Sequence, residues 1–123
     1  MSVIVRDDGF HEDDFTGASL DIAPEIDAGY LPALIDGAEM IRVLFPTFSD
    51  GRGFSLARRI RALGYSGRLR AAGPLIADQY AMARRVGFDE VEIPPELAER
   101  QPQAQWLFRA DWAAHDYRAR LAG

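Results

Sequence analysis

An aspartate, an arginine, two glycines and a serine stand close together in Asp50-Gly51-Arg52-Gly53-Phe54-Ser55. Glycines on either side of a guanidinium let backbone N–H groups turn toward an anion at the start of a helix, and Arg52 would add its charge. Asp50 or Ser55 could equally cap that helix, with Asp50 pairing to Arg52 or Arg70. The stretch has neither the Gly-Lys-Ser/Thr ending of a phosphate loop nor the Gly-x-Gly-x-x-Gly spacing of a dinucleotide site, so no known nucleotide motif is present.

A second set lies downstream in Arg68, Arg70, Asp78 and Gln79. Side chains alternate along a strand, so Arg68 and Arg70 share one face and need partners there. Asp78 is the only acid between residues 51 and 85. An Arg–Asp clamp is the favoured reading over a catalytic one. Asp50, Gly51, Arg52, Gly53, Ser55, Arg70, Asp78 and Gln79 therefore form the candidate ligand-binding set. No Gly-x-Ser-x-Gly elbow accompanies either histidine, His11 or His115, and no carboxylate spacing selects an acid–base pair. The acidic run Glu12-Asp13-Asp14 lacks the alternating oxygen spacing of a calcium loop and reads as a solvated loop.

The elements that would hold these residues follow from apolar periodicity. Val3–Arg6 and Phe10–Glu12 around Asp7-Asp8-Gly9 predict a β-hairpin. Residues 18–22 predict a short strand, and Leu31–Ile35 a short helix stopped by Gly37. Met40–Phe45 reads as a buried strand, followed by a helix carrying Leu56, Ile60 and Leu63 on one face. Arg68–Ala72 predicts the next strand, and Gly73-Pro74 a second helix with proline in its first position. Asp89–Ile93 alternates like a half-exposed strand. A further helix is expected over Asp111–Leu121, with Trp106, Phe108, Trp112 and Tyr117 as packing aromatics. The fold class is thus a single α/β domain over residues 1–123. Its core is a small, mostly parallel sheet of three to four strands from right-handed βαβ units, with an N-terminal hairpin and a C-terminal helix. An open sheet is favoured over a half-barrel that a homodimer would cover.

The 123 residues are 48% apolar, which suits one globular core. There is no cysteine, which removes disulfides, thiolate catalysis and cysteine-held clusters. There is no lysine either, which removes Schiff-base chemistry. No apolar run spans a bilayer and no leader is evident, so the expected location is the cytoplasm, away from membranes. Two isolated histidines argue against a metal site. The net charge of −5 hides three blocks. Residues 1–50 hold eleven acids and two arginines, residues 51–85 eight arginines and one acid, and residues 86–123 seven acids and four arginines. Such blocks mean either an internal match between segments or an anionic partner at the middle block. Acidic balance and the lack of nearby aromatics argue against nucleic acid as that partner.

One resemblance is carried by Phe45-Pro46, Asp50–Ser55, Ala57-Arg58, Ile60-Arg61, Gly64-Tyr65, Gly67, Leu69-Arg70-Ala71, Gly73, Asp78-Gln79, Arg85 and Gly87-Phe88-Asp89, and more loosely by Asp13-Asp14-Phe15. Over these positions the chain is similar to a bacterial family catalogued as a domain of unknown function, DUF934. The family is often labelled oxidoreductase and resembles proteins encoded beside sulfite reductase. The resemblance implies a role in sulfur assimilation, with sulfite reductase or another enzyme of that route as partner. It supplies no cofactor and no catalytic residue. Without cysteine or a dinucleotide fingerprint, redox work would need a bound cofactor or a partner to carry the electrons. Two expectations follow. One is an accessory protein of assimilatory sulfite reduction that docks through its arginine-rich block. The other is a small enzyme or sensor binding an oxyanion or phosphorylated ligand at residues 49–55.

Overall fold

A computed structural model describes residues 2–112. Six strands, β1 (Val3–Arg6), β2 (Gly9–His11), β3 (Ser19–Ile22), β4 (Met40–Leu44), β5 (Arg68–Ala72) and β6 (Glu90–Ile93), form one sheet in the order β2-β1-β6-β5-β4-β3. Five helices accompany them: α1 (Leu31–Ile35), α2 (Arg52–Ala62), α3 (Tyr80–Val86), α4 (Pro95–Arg100) and α5 (Gln103–Leu107). The α/β class and the βαβ units hold. The strand count is corrected from three or four to six. β3 to β6 are parallel neighbours, and the hairpin does not stand apart, because β1 pairs antiparallel with β6, placing Val5 opposite Val91. Docking there buries Ile4 and Val5 completely, which an isolated two-stranded hairpin could not do. Of the helix expected over Asp111–Leu121, only Asp111 and Trp112 are described, neither of them helical, and the rest lies outside the described residues.

Strand order decides where the core sits. Consecutive parallel strands joined by right-handed crossovers receive their helices on the same face. Ile41, Val43, Leu69, Ala71, Val91 and Ile93 point to that face and share one cluster with Leu31 and Ile35 of α1, Ala57 and Ile60 of α2, Tyr80 and Ala83 of α3, and Trp106 of α5. Period-2 alternation sends Asp21, Arg42, Arg68, Arg70, Glu90, Glu92 and Arg6 to the opposite face. No helix core lies there. Ile4, Met40 and Ala72 are buried on it, yet none belongs to the main cluster.

Two expectations about boundaries change. α2 begins at Arg52, so the polar loop is already helical where it was read as a connection. Gly73-Pro74 does not open a helix; the chain bends at Gly73, where Leu75 N–H donates back to the Gly73 carbonyl at 2.8 Å, is extended at Ile76, makes a 3₁₀ turn at Ala77–Gln79, and only then enters α3. Leu75 explains the delay, since it is 1% exposed and this segment is what carries it into the core. The strand expected as half-exposed over Asp89–Ile93 runs over Glu90–Ile93 and is covered, with Glu90 2% exposed. Its alternation separates two covered faces, one apolar and one charged.

Candidate functional site

The loop after β4 is pinned from both sides. Phe45 N–H donates to the Ala72 carbonyl at 2.8 Å, tying it to β5. Asp50 accepts three bonds from Arg52: the backbone N–H at 3.1 Å, Nε at 2.9 Å and Nη2 at 2.7 Å. Of the two partners proposed for Asp50, Arg52 is the one it has. The bonds from Arg52 hold the Asp50 carboxyl below its ordinary range, and Asp50 raises the Arg52 guanidinium. Gln79 Nε2 donates to the Phe48 carbonyl, while its Oε1 accepts from Ile76 N–H at 3.0 Å. Gln79 thus joins the loop to the 3₁₀ turn before α3.

The two glycines of this loop differ in what requires them. Gly51 has φ −77° and open space around its α-carbon, so nothing there requires glycine. Gly53 is required by contact: a Cβ would sit 2.3 Å from the Phe45 ring. Phe45 is itself buried against Phe54 and Phe88, with ring centroids 5.0 and 5.9 Å away.

The remaining candidates do not converge on this loop. Asp78 pairs with Arg109 at 3.0 Å, not with Arg68 or Arg70, so the expected Arg–Asp clamp is replaced by other partners. Ser55 lies exposed on α2. Arg70 belongs to the charged face of the sheet, where register puts Arg42 beside Arg70 and Arg70 beside Glu90.

That face is a ladder of ion pairs. Arg42 binds both Asp21 oxygens at 2.8 and 2.7 Å and spans to Glu92 at 3.2 and 3.0 Å. Arg70, 1% exposed, reaches Glu90, Glu92 and both oxygens of Asp13. Arg68 and Arg6 each bridge Glu90 to Asp14. The Phe15 ring lies 5.6 Å from the Arg68 guanidinium. Burial alone would raise the Glu90 and Glu92 carboxyls, but guanidiniums of Arg68, Arg70 and Arg6 around Glu90, and of Arg42 and Arg70 around Glu92, pull both below their ordinary value. The Arg70 bonds take Asp13 down against burial, and the bonds from Arg6 and Arg68 do the same for Asp14. Asp13 and Asp14 are thus ladder members, where sequence reading made them a solvated loop. The signal was the shared spacing of Arg68-x-Arg70 and Glu90-x-Glu92, complementary charges on one face of neighbouring strands.

Every buried side-chain polar atom among the described residues has a partner. Among the same residues no group of three or more His, Asp or Glu is placed to hold a metal, and no helix is long and apolar enough to cross a membrane.

Two arginines of the positive middle block stand outside this pairing. Of the eight arginines in residues 51–85, Arg52, Arg61, Arg68, Arg70, Arg84 and Arg85 are engaged by carboxylates or carbonyls. Arg58 and Arg59 are exposed on α2 and have no hydrogen bond or ion pair among the described residues. They line an open groove of about 550 Å³ with Arg52, Ser55, Pro24 and Ala28. The positive middle block is therefore mostly an internal match to Asp7, Asp13, Asp14, Asp89 and Glu90, and its outward remainder is the α2 face.

A family model described as a bacterial protein of unknown function, DUF934, matches residues 19–120. No curated protein and no solved structure matches the chain.

Proposed function

Starting from a chain that belongs to the DUF934 family, we propose an accessory protein that docks on an acidic surface of a partner enzyme through the exposed face of α2. Arg58 and Arg59 carry this reading: they are the two arginines of the block left without a partner among the described residues, side by side on one helix and next to an apolar groove. Guanidiniums not already engaged by a carboxylate have their donors available to bind a partner's carboxylates in bidentate fashion. The gene neighbourhood that the family resemblance implies points to sulfite reductase, or another enzyme of cytoplasmic sulfur assimilation, as that partner.

Binding of the purified protein to sulfite reductase, measured by calorimetry at low and high salt, tests the proposal. The expected result is salt-sensitive binding that Arg58→Glu with Arg59→Glu weakens by about tenfold or more, as for charges that steer and hold an interface. Binding that is absent, or unchanged by the double reversal, overturns it. Light scattering of the free protein distinguishes a single copy from a homodimer as the docking unit.

A second reading has one observation in its favour: Arg52 and Ser55 share the groove with Arg58 and Arg59. A sulfite, sulfate or phosphate group held there would draw Arg52 away from Asp50. Thermal stabilisation by one of these anions that disappears in Arg52→Ala supports a small-ligand site. Stabilisation that survives the substitution sinks it.

A further inference from the structure

The two edges of the sheet are treated differently. At β2 the edge is only three residues long, and Phe10 N–H donates to Gln103 Oε1 of α5 at 2.7 Å. That edge is capped, in the way sheets guard against further pairing. At β3 the outer backbone groups of Ser19–Ile22 have no hydrogen-bond partner among the described residues, and β4 occupies only the inner side. Beside this edge runs a groove of about 290 Å³, lined by Ser19, Leu20, Leu34, Asp36 and Glu39. Leu34 is 38% exposed and Leu20 half-buried, which leaves apolar surface for alternate side chains of an added strand. Asp36 and Glu39 are exposed and carry no hydrogen bond or ion pair among the described residues, whereas Asp21 on the same edge is already neutralised by Arg42.

We propose that the β3 edge receives an extended segment of another protein, as a seventh strand, with arginine or lysine alternating with aliphatic side chains. Main-chain bonds to an open edge supply affinity, and side-chain pockets supply selection. Charge fixes the kind of occupant. Among the described residues the edge offers two unneutralised carboxylates and no free cation, so a basic segment gains two ion pairs. A second copy paired antiparallel across a two-fold axis would set Ser19 opposite Ile22 and bring two more carboxylates, with no free cation on its own β3 edge to neutralise them. This surface is separate from the α2 face and opposite in sign.

The test uses the full chain and two blocked synthetic heptapeptides, one alternating arginine and valine, the other glutamate and valine. Amide hydrogen exchange is followed residue by residue across β3. The arginine peptide is expected to slow exchange at outward amides of Ser19–Ile22, and Asp36→Asn with Glu39→Gln to weaken its binding by about fivefold, the scale of two exposed ion pairs. Equal binding of the glutamate peptide overturns the proposal. So does the absence of protection by either peptide, or β3 protection that rises with protein concentration alone, which would assign the edge to a second copy. Arg58→Ala with Arg59→Ala is expected to leave the peptide effect intact, and its loss there would overturn the assignment to the β3 edge.

Discussion

Arg70 is the residue on which the charged face turns. It is almost fully buried and contacts three carboxylates, so its removal leaves Glu90 and Glu92 with fewer cations in a covered environment. Breaking a buried pair from one side is costly because the remaining charge stays desolvated. Arg70→Met is expected to lower unfolding free energy by about 3–5 kcal/mol in urea titrations, while Arg58→Ala, exposed and unpaired, stays within about 0.5 kcal/mol. The same contacts set the acid limb. Asp13, Glu90 and Glu92 titrate below their ordinary values in the folded chain. A depressed carboxyl contributes stability above its unfolded pKa, and that contribution is lost as pH falls through the folded pKa. Stability should therefore be level above about pH 5.5 and decline below about pH 4.5. Glu90→Gln should make the decline shallower, as read from urea midpoints at several pH values. None of these pairings was legible at residues 12–14, because a charge run on a loop looks the same whether it is solvated or folded over a sheet.

At the scale of elements, the turn from β4 into α2 is built around Phe45. Gly53 on α2 and Gly73 after β5 both press on it. Gly73 has φ +151°, and a Cβ there would lie 2.1 Å from the Phe45 carbonyl oxygen, a backbone atom that cannot swing away. Gly73→Ala should cost about 2–3 kcal/mol, and Gly53→Ala about 1–3 kcal/mol by overpacking the ring. Gly51→Ala, with ordinary φ and free space, is expected to be neutral or stabilising by up to about 1 kcal/mol. Thermal melts of the three variants separate these outcomes. The hairpin, the strands and α1 were readable because apolar spacing and turn residues agree at each. The start of α3 was not, since Gly73-Pro74 is a sound local helix signal overridden by the burial of Leu75. Gln79 could be singled out by type, but its bond to the Phe48 carbonyl depends on loop geometry that spacing does not encode.

Across the whole molecule, the charge blocks were legible as a pattern and their use was not. Acids near the N-terminus and arginines in the middle meet only because β1 returns to β6 and residues 12–18 reach the charged face, which is a matter of strand order. Trp106 anchors the far end of the helix layer: it is 1% exposed, stacks edge-on against Tyr80 at 6.1 Å, and donates to the Gln101 carbonyl at 2.9 Å. Trp106→Ala should destabilise by about 3–5 kcal/mol in urea unfolding. It should also speed exchange at Phe10, whose N–H is held by Gln103 of the same helix. The pairing of β1 with β6 carries one more consequence, in time rather than in space. Val3 and Ile93 face one another, so the first strand made waits for the last strand of the sheet before it can be placed. Each of the parallel neighbours β3 to β6 has its partner in place once it is synthesised, while the hairpin has to wait in the emerging chain with Ile4 and Val5 uncovered. On a ribosome, the sheet would then grow from its β3 edge toward β6 and close with the hairpin, and the interval before Ile93 emerges is when the chain is most open to capture by a chaperone.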